Sequence, residues 1–396
     1  MLSRRSFLVA ASAGAVALTV RPAGAAGSWP RTARAAALPL TIVNNSGEFA
    51  NSSIWCYLLG TDADGNQVHV TGDGSVVPVS LSDNGSDGFT DYGVQLASSG
   101  PTTLHVPPMS GRLYFALGEK LKLKAVADGA GRPALQYPAG WVDSDPNYRV
   151  LHDSVEFTLD DAGMHWNTTM VDQFSVPLSL ELTGAATQQA GALKPGGRAQ
   201  FFDAIRAQEG FADLVVDDLR VIAPGHGLDV GRFSASYFDG YTDQVWSKYA
   251  GTDLRLDTGS GVFTGRIRGD GALVVSDGSG RTTDPIGRPS TRDILYCDGA
   301  LAAPNDGLTG PVAALLGAAL NRSTLLDHPE QPVSDPAAFY RDQVTNHYAR
   351  IAHVVSADGR AYGFAFDDVS GFASYIEDPA PTSCTVTLTP FQEAVR

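Results

Sequence analysis

Cysteine is nearly missing from this chain. Cys56, Cys297 and Cys384 are the only three in 396 residues, far apart and without C-x-x-C or Cys/His spacing. That argues against a cysteine metal site and permits at most one intramolecular disulfide. Histidine is sparse too, with eight residues and no H-E-x-x-H pair, so neither a metal nor another cofactor is expected. Gly225-His226-Gly227 is not a phosphate loop, and no serine sits in G-x-S-x-G, which leaves acyl transfer without a foothold. Positive charge is short as well: 28 Lys and Arg stand against 43 Asp and Glu, a net charge of −15. Nucleic acids and anionic membranes demand a basic footprint that no stretch supplies, whereas a neutral polysaccharide is a compatible partner.

Long apolar runs are absent beyond the N-terminus. There, Ser3-Arg4-Arg5-Ser6-Phe7-Leu8 forms a twin-arginine motif, followed by a short apolar stretch from Phe7 to Val20 and small residues from Ala23 to Ala26. The pattern reads as an export signal, residues 1–26, of a secreted bacterial protein. A cut near Ala25 or Ala26 removes Arg4, Arg5 and Arg21 and moves the net charge from −15 to about −18. The exported chain is expected to be a monomer that no longer contacts a membrane, and its length of about 370 residues suffices for two lobes.

What the chain has in quantity is short alternating strands. TIVNN, SIWCYLLG, QVHV, TTLHV, RLYFAL and LKLKAV, separated by Gly, Asp, Asn and Pro, fill the region up to Leu182 and predict a β-sandwich or barrel. Composition shifts at the Gly/Ala/Gln-rich stretch from Gly184 to Gly197. Helical spacing follows in Phe201, Phe202 and Ile205 and in Tyr241, Val245 and Tyr249; Pro311 to Leu326 is rich in Ala and Leu. Ser334 or Asp335 before Pro336 predicts a capped helix through Phe339, Tyr340, Val344 and Tyr348. Strands are interleaved at Leu254 to Leu256, Val262 to Ile267 and Ala272 to Val275, and AYGFAF and CTVTLTPF return to strand pattern at the end. The expected organisation is mainly β: a lobe of residues 38–184 completed by 353–396, a mixed α/β lobe of 185–352 inserted in it, and a wide cleft between them.

The segment from Asp153 to Phe174, DSVEFTLDDAGMHWNTTMVDQF, carries the candidate chemistry. Ser154, Glu156 and Thr158 alternate with Val155, Phe157 and Leu159, so Glu156 lies on the polar face of a half-buried strand. A second run holds Asp172, with Trp166 nearby as a flat surface on which a sugar ring can stack; two carboxylates and an aromatic suggest a glycan cleft. A tight turn at Asp160 to Gly163 would pair Glu156 near Asn167 and leave Asp172 on the order of 16 Å away at strand rise. By that count the carboxylates meet only across a wider loop centred near Met164.

The wording of this segment resembles glycoside hydrolase family 64, β-1,3-glucanases that share their fold with thaumatin-like proteins. Val155-Glu156-Phe157-Thr158 and Asn167 to Phe174 match the family's two motif strands. LPLTIVNNSG, Leu38 to Gly47, resembles the opening strand, with Ser46 where plant thaumatin-like proteins often have Cys, and AYGFAFDDVSGFASYIEDPAP, Ala361 to Pro381, resembles the closing segment. The resemblance implies inverting hydrolysis of β-1,3-glucan, with Glu156 as general acid, Asp172 as general base and a short oligosaccharide such as laminaripentaose as product. Thr158, Trp166, Asn167 and Thr169, which flank the carboxylates, are the expected binding residues. Asp367 joins them, because one of the consecutive Asp367 and Asp368 can face a cleft. Trp246, Tyr340 and Tyr362 are expected to pack rather than bind. The competing reading is a non-catalytic thaumatin-like protein that grips β-1,3-glucan without cutting it.

Overall fold

The computed structural model describes residues 37–392; the twin-arginine segment lies outside the described residues. Two sheets face each other. The first is five-stranded, in the order Thr187–Ala190, Leu178–Thr183, Ser383–Leu388, Leu38–Asn44, Thr102–Val106. Ser383–Leu388 runs parallel to Leu38–Asn44, with Leu40 opposite Cys384 and Ile42 opposite Val386, so the two ends of the described chain are stitched side by side. The second sheet runs from Tyr375–Asp378 through Gly163–Asn167, Leu151–Asp160, Met109–Leu117 and Ile54–Thr61 to Gln67–Val70 and Val76–Pro78.

Strict alternation gives each sheet one apolar face. Leu40, Ile42, Val386 and Leu388 from the first sheet meet Leu58, Leu113, Phe115, Val155, Phe157 and Trp166 from the second in one core. Both sheets keep free edges, so of the two predicted alternatives the sandwich forms and no barrel closes among the described residues.

A second core gathers residues from Met170 to Ala361 around the helices Gly197–Ala207, Asp239–Gly251, Thr309–Asn321 and His347–Val355. A four-stranded sheet, Leu273–Asp277, Val262–Ile267, Leu254–Asp257 and Glu330–Gln331, packs with them. Helix Thr309–Asn321 is buried along its whole length, which suits its small side chains. Within this core the Tyr348 hydroxyl donates to the Met170 carbonyl at 2.8 Å.

Two elements differ from the sequence pattern. The predicted capped helix is only a short turn at Pro336–Ala338, although Asp335 does cap it by accepting from the Ala337 N–H. Helix resumes at His347, capped by Asn346, because tertiary contacts break the run between. Tyr340 adopts a φ of 57°, its N–H donates to the Arg322 carbonyl, and Phe339 lies 4.6 Å from the Arg322 guanidinium. AYGFAF is not a strand either; Ala361–Phe366 turns on itself, with the Asp367 N–H donating to the Phe364 carbonyl. Cys56, Cys297 and Cys384 are all buried, and no disulfide joins them.

Candidate active site

The hairpin after Glu156 is the tight one. Asp160 pairs with Gly163 and Glu156 with Asn167, the register in which strand rise places Asp172 far away. Yet the two carboxylates meet, because the chain leaves the sheet at Asn167 instead of extending it. The Thr168 N–H donates to Ser374, and the Met170 N–H to Tyr362. Gln173–Phe174 then pairs with Arg220–Ile222. The segment thus crosses the polar face of the sheet and brings Asp172 back over it. Its far end is fixed by Asp153, whose carboxylate accepts from the Ser175 N–H at 2.7 Å and the Val176 N–H at 3.0 Å. Burial pushes the Asp153 carboxyl up to about 7 despite those donors.

Between the carboxylates lies Arg112, a residue the sequence reading passed over. It sits on Met109–Leu117 directly opposite Glu156 and is 7% exposed. Its Nε and Nη2 donate to Glu156 Oε1 at 3.1 and 2.6 Å, and its Nη1 donates to Asp172 Oδ2 at 2.6 Å. The signal was present: Arg112 and Tyr114 interrupt the apolar run SGRLYFAL with the same period of two that sets Glu156 apart from Val155 and Phe157. His226 was also set aside on sequence. Its Nε2 lies 2.8 Å from Asp172 Oδ1, and Trp141 stacks on its ring at 3.7 Å and 15°.

One guanidinium holds both acids, but their environments differ. Burial raises the Glu156 carboxyl above the usual range, and the opposing pull of Arg112 does not cancel it. Burial acts the same way on Asp172, yet Arg112 and His226 together outweigh it and hold that carboxyl well below the usual range. A pair of carboxyls pushed apart in this way supplies one proton donor and one anion at the same pH. Glu156 Oε2, the oxygen not gripped by Arg112, faces Asn167 Nδ2 at 3.4 Å. Asn167 is buried, and its Oδ1 has no hydrogen-bond partner.

The predicted binding residues separate into two groups. Asn167 and Thr158 share the face of Glu156, Thr158 half-buried with its hydroxyl 2.7 Å from that of Ser110. Thr169 is buried in the crossing segment beside Asp172 and borders a small cavity with Arg112, Trp141 and Ser154. Trp166 and Asp367 do not reach the site. Trp166 sits opposite Phe157 on the core face and is 1% exposed; one residue before Asn167, it must point the other way. Asp367 is fully buried in an ion pair with Arg322 at 3.0 Å, and His353 Nε2 lies at 3.0 Å on its other side. Aromatic surface at the site comes instead from Trp141, and from Tyr375, which lies opposite Asn167 and whose hydroxyl is 2.6 Å from His165 Nδ1. Trp246 and Tyr362 are buried, as packing residues are.

Among the described residues no cluster of three or more His, Cys, Asp or Glu could hold a metal ion, and no helix is long and apolar enough to cross a membrane. Known proteins share this architecture. Residues 36–388 match the family model described as β-1,3-glucanase, glycoside hydrolase family 64. Glucan endo-1,3-β-glucosidases of Arthrobacter sp. (strain YCWD3) and Cellulosimicrobium cellulans are each 36% identical over 379 residues, covering 91% of this chain and 67% of theirs. A laminaripentaose-producing β-1,3-glucanase solved with laminaritetraose superimposes with a TM-score of 0.82 at 37% identity, over 90% of this chain and 99% of that one. A β-1,3-glucanase domain from Clostridium beijerinckii gives 0.81 at 26% identity, over 89% and 98%. A match over nearly the whole chain, in sequence and in fold, places this protein in glycoside hydrolase family 64, the β-1,3-glucanases.

Proposed function

We propose that this protein hydrolyses β-1,3-glucan with inversion, Glu156 acting as general acid and Asp172 as general base. The observation that carries the reading is the shared guanidinium: one buried cation holds two carboxyls whose environments drive their proton affinities in opposite directions. Glu156, protonated more readily than an ordinary glutamate, gives its proton to the departing glycosidic oxygen from Oε2. Asp172, kept ionised, takes a proton from the water that attacks the anomeric carbon on the opposite face. Arg112 stays charged throughout, its own pKa raised by Asp172, Tyr114 and Glu156 against the effect of burial, and so steadies Glu156 once it has become an anion.

Asn167, Thr158 and Thr169 offer amide and hydroxyl groups to glucan hydroxyls along the same face. Trp141 and Tyr375 supply the stacking surfaces assigned on sequence to Trp166. Export through the twin-arginine segment, which would place the enzyme outside the cell where polymeric glucan is met, belongs to the same proposal, as does action as a monomer.

Proton NMR of the first sugar released tests the stereochemistry. Inversion of a β bond gives the α anomer at the new reducing end, and an initial β anomer would make Asp172 or Glu156 a nucleophile instead. Chromatography of an early curdlan digest tests the product. The structural relative that produces laminaripentaose supports a pentasaccharide as the main species; glucose from the first minutes would rule out an open groove.

A further inference from the structure

We infer that His226 is the positioning residue of Asp172, and that Tyr296 and Asp229 hold His226 in that role. The inference rests on the reading of Asp172 as the base. Asp172 is tied to one short segment twice: the Ala223 N–H donates to its main-chain carbonyl at 3.0 Å, and His226 Nε2 meets Oδ1 at 2.8 Å. With Arg112 on Oδ2, both oxygens are engaged, so the carboxylate cannot rotate, and the lone pair left for water keeps a fixed direction.

Behind His226 the contacts continue. The Tyr296 hydroxyl is 3.1 Å from His226 Nδ1 and donates to Asp229 Oδ2 at 2.6 Å; Arg292 in turn pairs with Asp229. Each imidazole nitrogen therefore faces an oxygen, and Trp141 closes one ring face at 3.7 Å. This arrangement explains the otherwise featureless PGHG. His226 and Asp229 are three residues apart on the helix Pro224–Asp229, hence on one face and both within reach of Tyr296. A Cβ on Gly225 would stand 3.0 to 3.3 Å from the Tyr296 ring, and one on Gly227 would stand 2.2 Å from Leu214 Cδ2. Bare neighbours thus let the Tyr296 ring come close to the segment that carries His226 and leave Leu214 its place. A triad in which a third group orients the base's partner works on the same principle, with the roles of His and Asp exchanged.

The charged and titratable groups that face Asp172 are Arg112 and Tyr114 from Met109–Leu117, Glu156 from Leu151–Asp160, Tyr348 from His347–Val355, and His226 with Tyr296 behind it. Of these, Arg112 and His226 supply the donors that stabilise its anion. Removing the His226 donor lets burial reassert itself, so Asp172 becomes easier to protonate and the acid limb of kcat/KM moves up in pH. A side chain that only filled space would lower activity without moving that limb.

The decisive comparison is His226→Met against His226→Gln, two side chains of nearly equal volume of which only Gln can donate to Asp172. Expected for His226→Met is an acid limb shifted upward by about one pH unit or more and kcat lowered ~10-fold or more, with KM on laminarin oligosaccharides within about twofold of wild type. His226→Gln should return most of the shift. An unmoved limb in a folded His226→Met, or no difference between Met and Gln, overturns the positioning role. If His226→Met does not fold, Tyr296→Phe decides: a smaller shift in the same direction supports the role, an unchanged limb overturns it. Asp172→Asn runs alongside. If it retains turnover, the base assignment itself falls; if it is inactive while His226→Met matches wild type, only the present inference falls.

Discussion

Glu156→Gln should abolish most turnover while leaving the protein folded and still able to hold glucan. The expected loss is ~10² to 10⁴-fold, the range for a missing general acid. Its fold should survive because each contact has a replacement. The Gln carbonyl can accept from Arg112 Nε and Nη2, as Glu156 Oε1 does now at 3.1 and 2.6 Å. The new NH₂ takes the place of Oε2, which now faces Asn167 Nδ2; a flip of the Asn167 amide turns its Oδ1, at present without a partner, to accept from it. Removing a buried carboxyl whose ionised form is disfavoured also removes a cost at neutral pH, so stability should stay within about 1 kcal/mol. Release of reducing ends from laminarin measures the first effect, and co-sedimentation with curdlan the second. Near-normal turnover would end the assignment of Glu156 as the general acid.

Much of this arrangement was legible in the sequence, because alternation is a local property. The period of two in Ser154 to Leu159 fixed the face of Glu156, and the same rule fixes the face of Asn167 and Thr158. Tyr241, Val245 and Tyr249 announced their helix through their spacing and are all buried in the structure. What could not be read was where the chain leaves a sheet. Extending the strand beyond Asn167 put Asp172 about 16 Å too far along; the departure is enforced by Ser374 and Tyr362, more than 190 residues later. Trp166 was assigned by chemistry rather than by parity, and parity sends it to the core. Asp367 was one of two adjacent aspartates with equal claims in sequence. Only the distant Arg322 and His353 decide that it is the buried one. His226 and Arg112 are long-range partners of Asp172, 54 and 60 residues away, and no pattern within a strand or helix points from one to the other.

Arg112→Met should cost more stability than any other single change at this site. Met keeps the apolar stem of Arg112 and loses the guanidinium head, and the strand Met109–Leu117 carries mostly apolar residues, so the loss is mainly electrostatic. Glu156 and Asp172 would be left buried beside each other, and uncompensating one side of a buried pair costs roughly 3–5 kcal/mol. Turnover should fall with it, since Asp172 is no longer held ionised. The pH dependence then separates this cause from simple misfolding. In the wild type, Asp172 has a folded-state pKa below its unfolded value, so its contribution is complete above the unfolded pKa and disappears only as pH falls through the lower, folded one. Without Arg112, burial raises the folded-state pKa of Glu156 further above the unfolded one, and at Asp172 only His226 is left to oppose it. The folded variant then binds more protons than the unfolded chain, and its stability declines as pH rises through that interval. Arg112→Met should therefore melt at a higher temperature near pH 5 than near pH 7, and the gap to wild type should narrow on acidification. Thermal denaturation of both proteins across that range checks the sign. A deficit that stays constant with pH would mean that Arg112 acts through packing, and that the opposed proton affinities of Glu156 and Asp172 arise elsewhere.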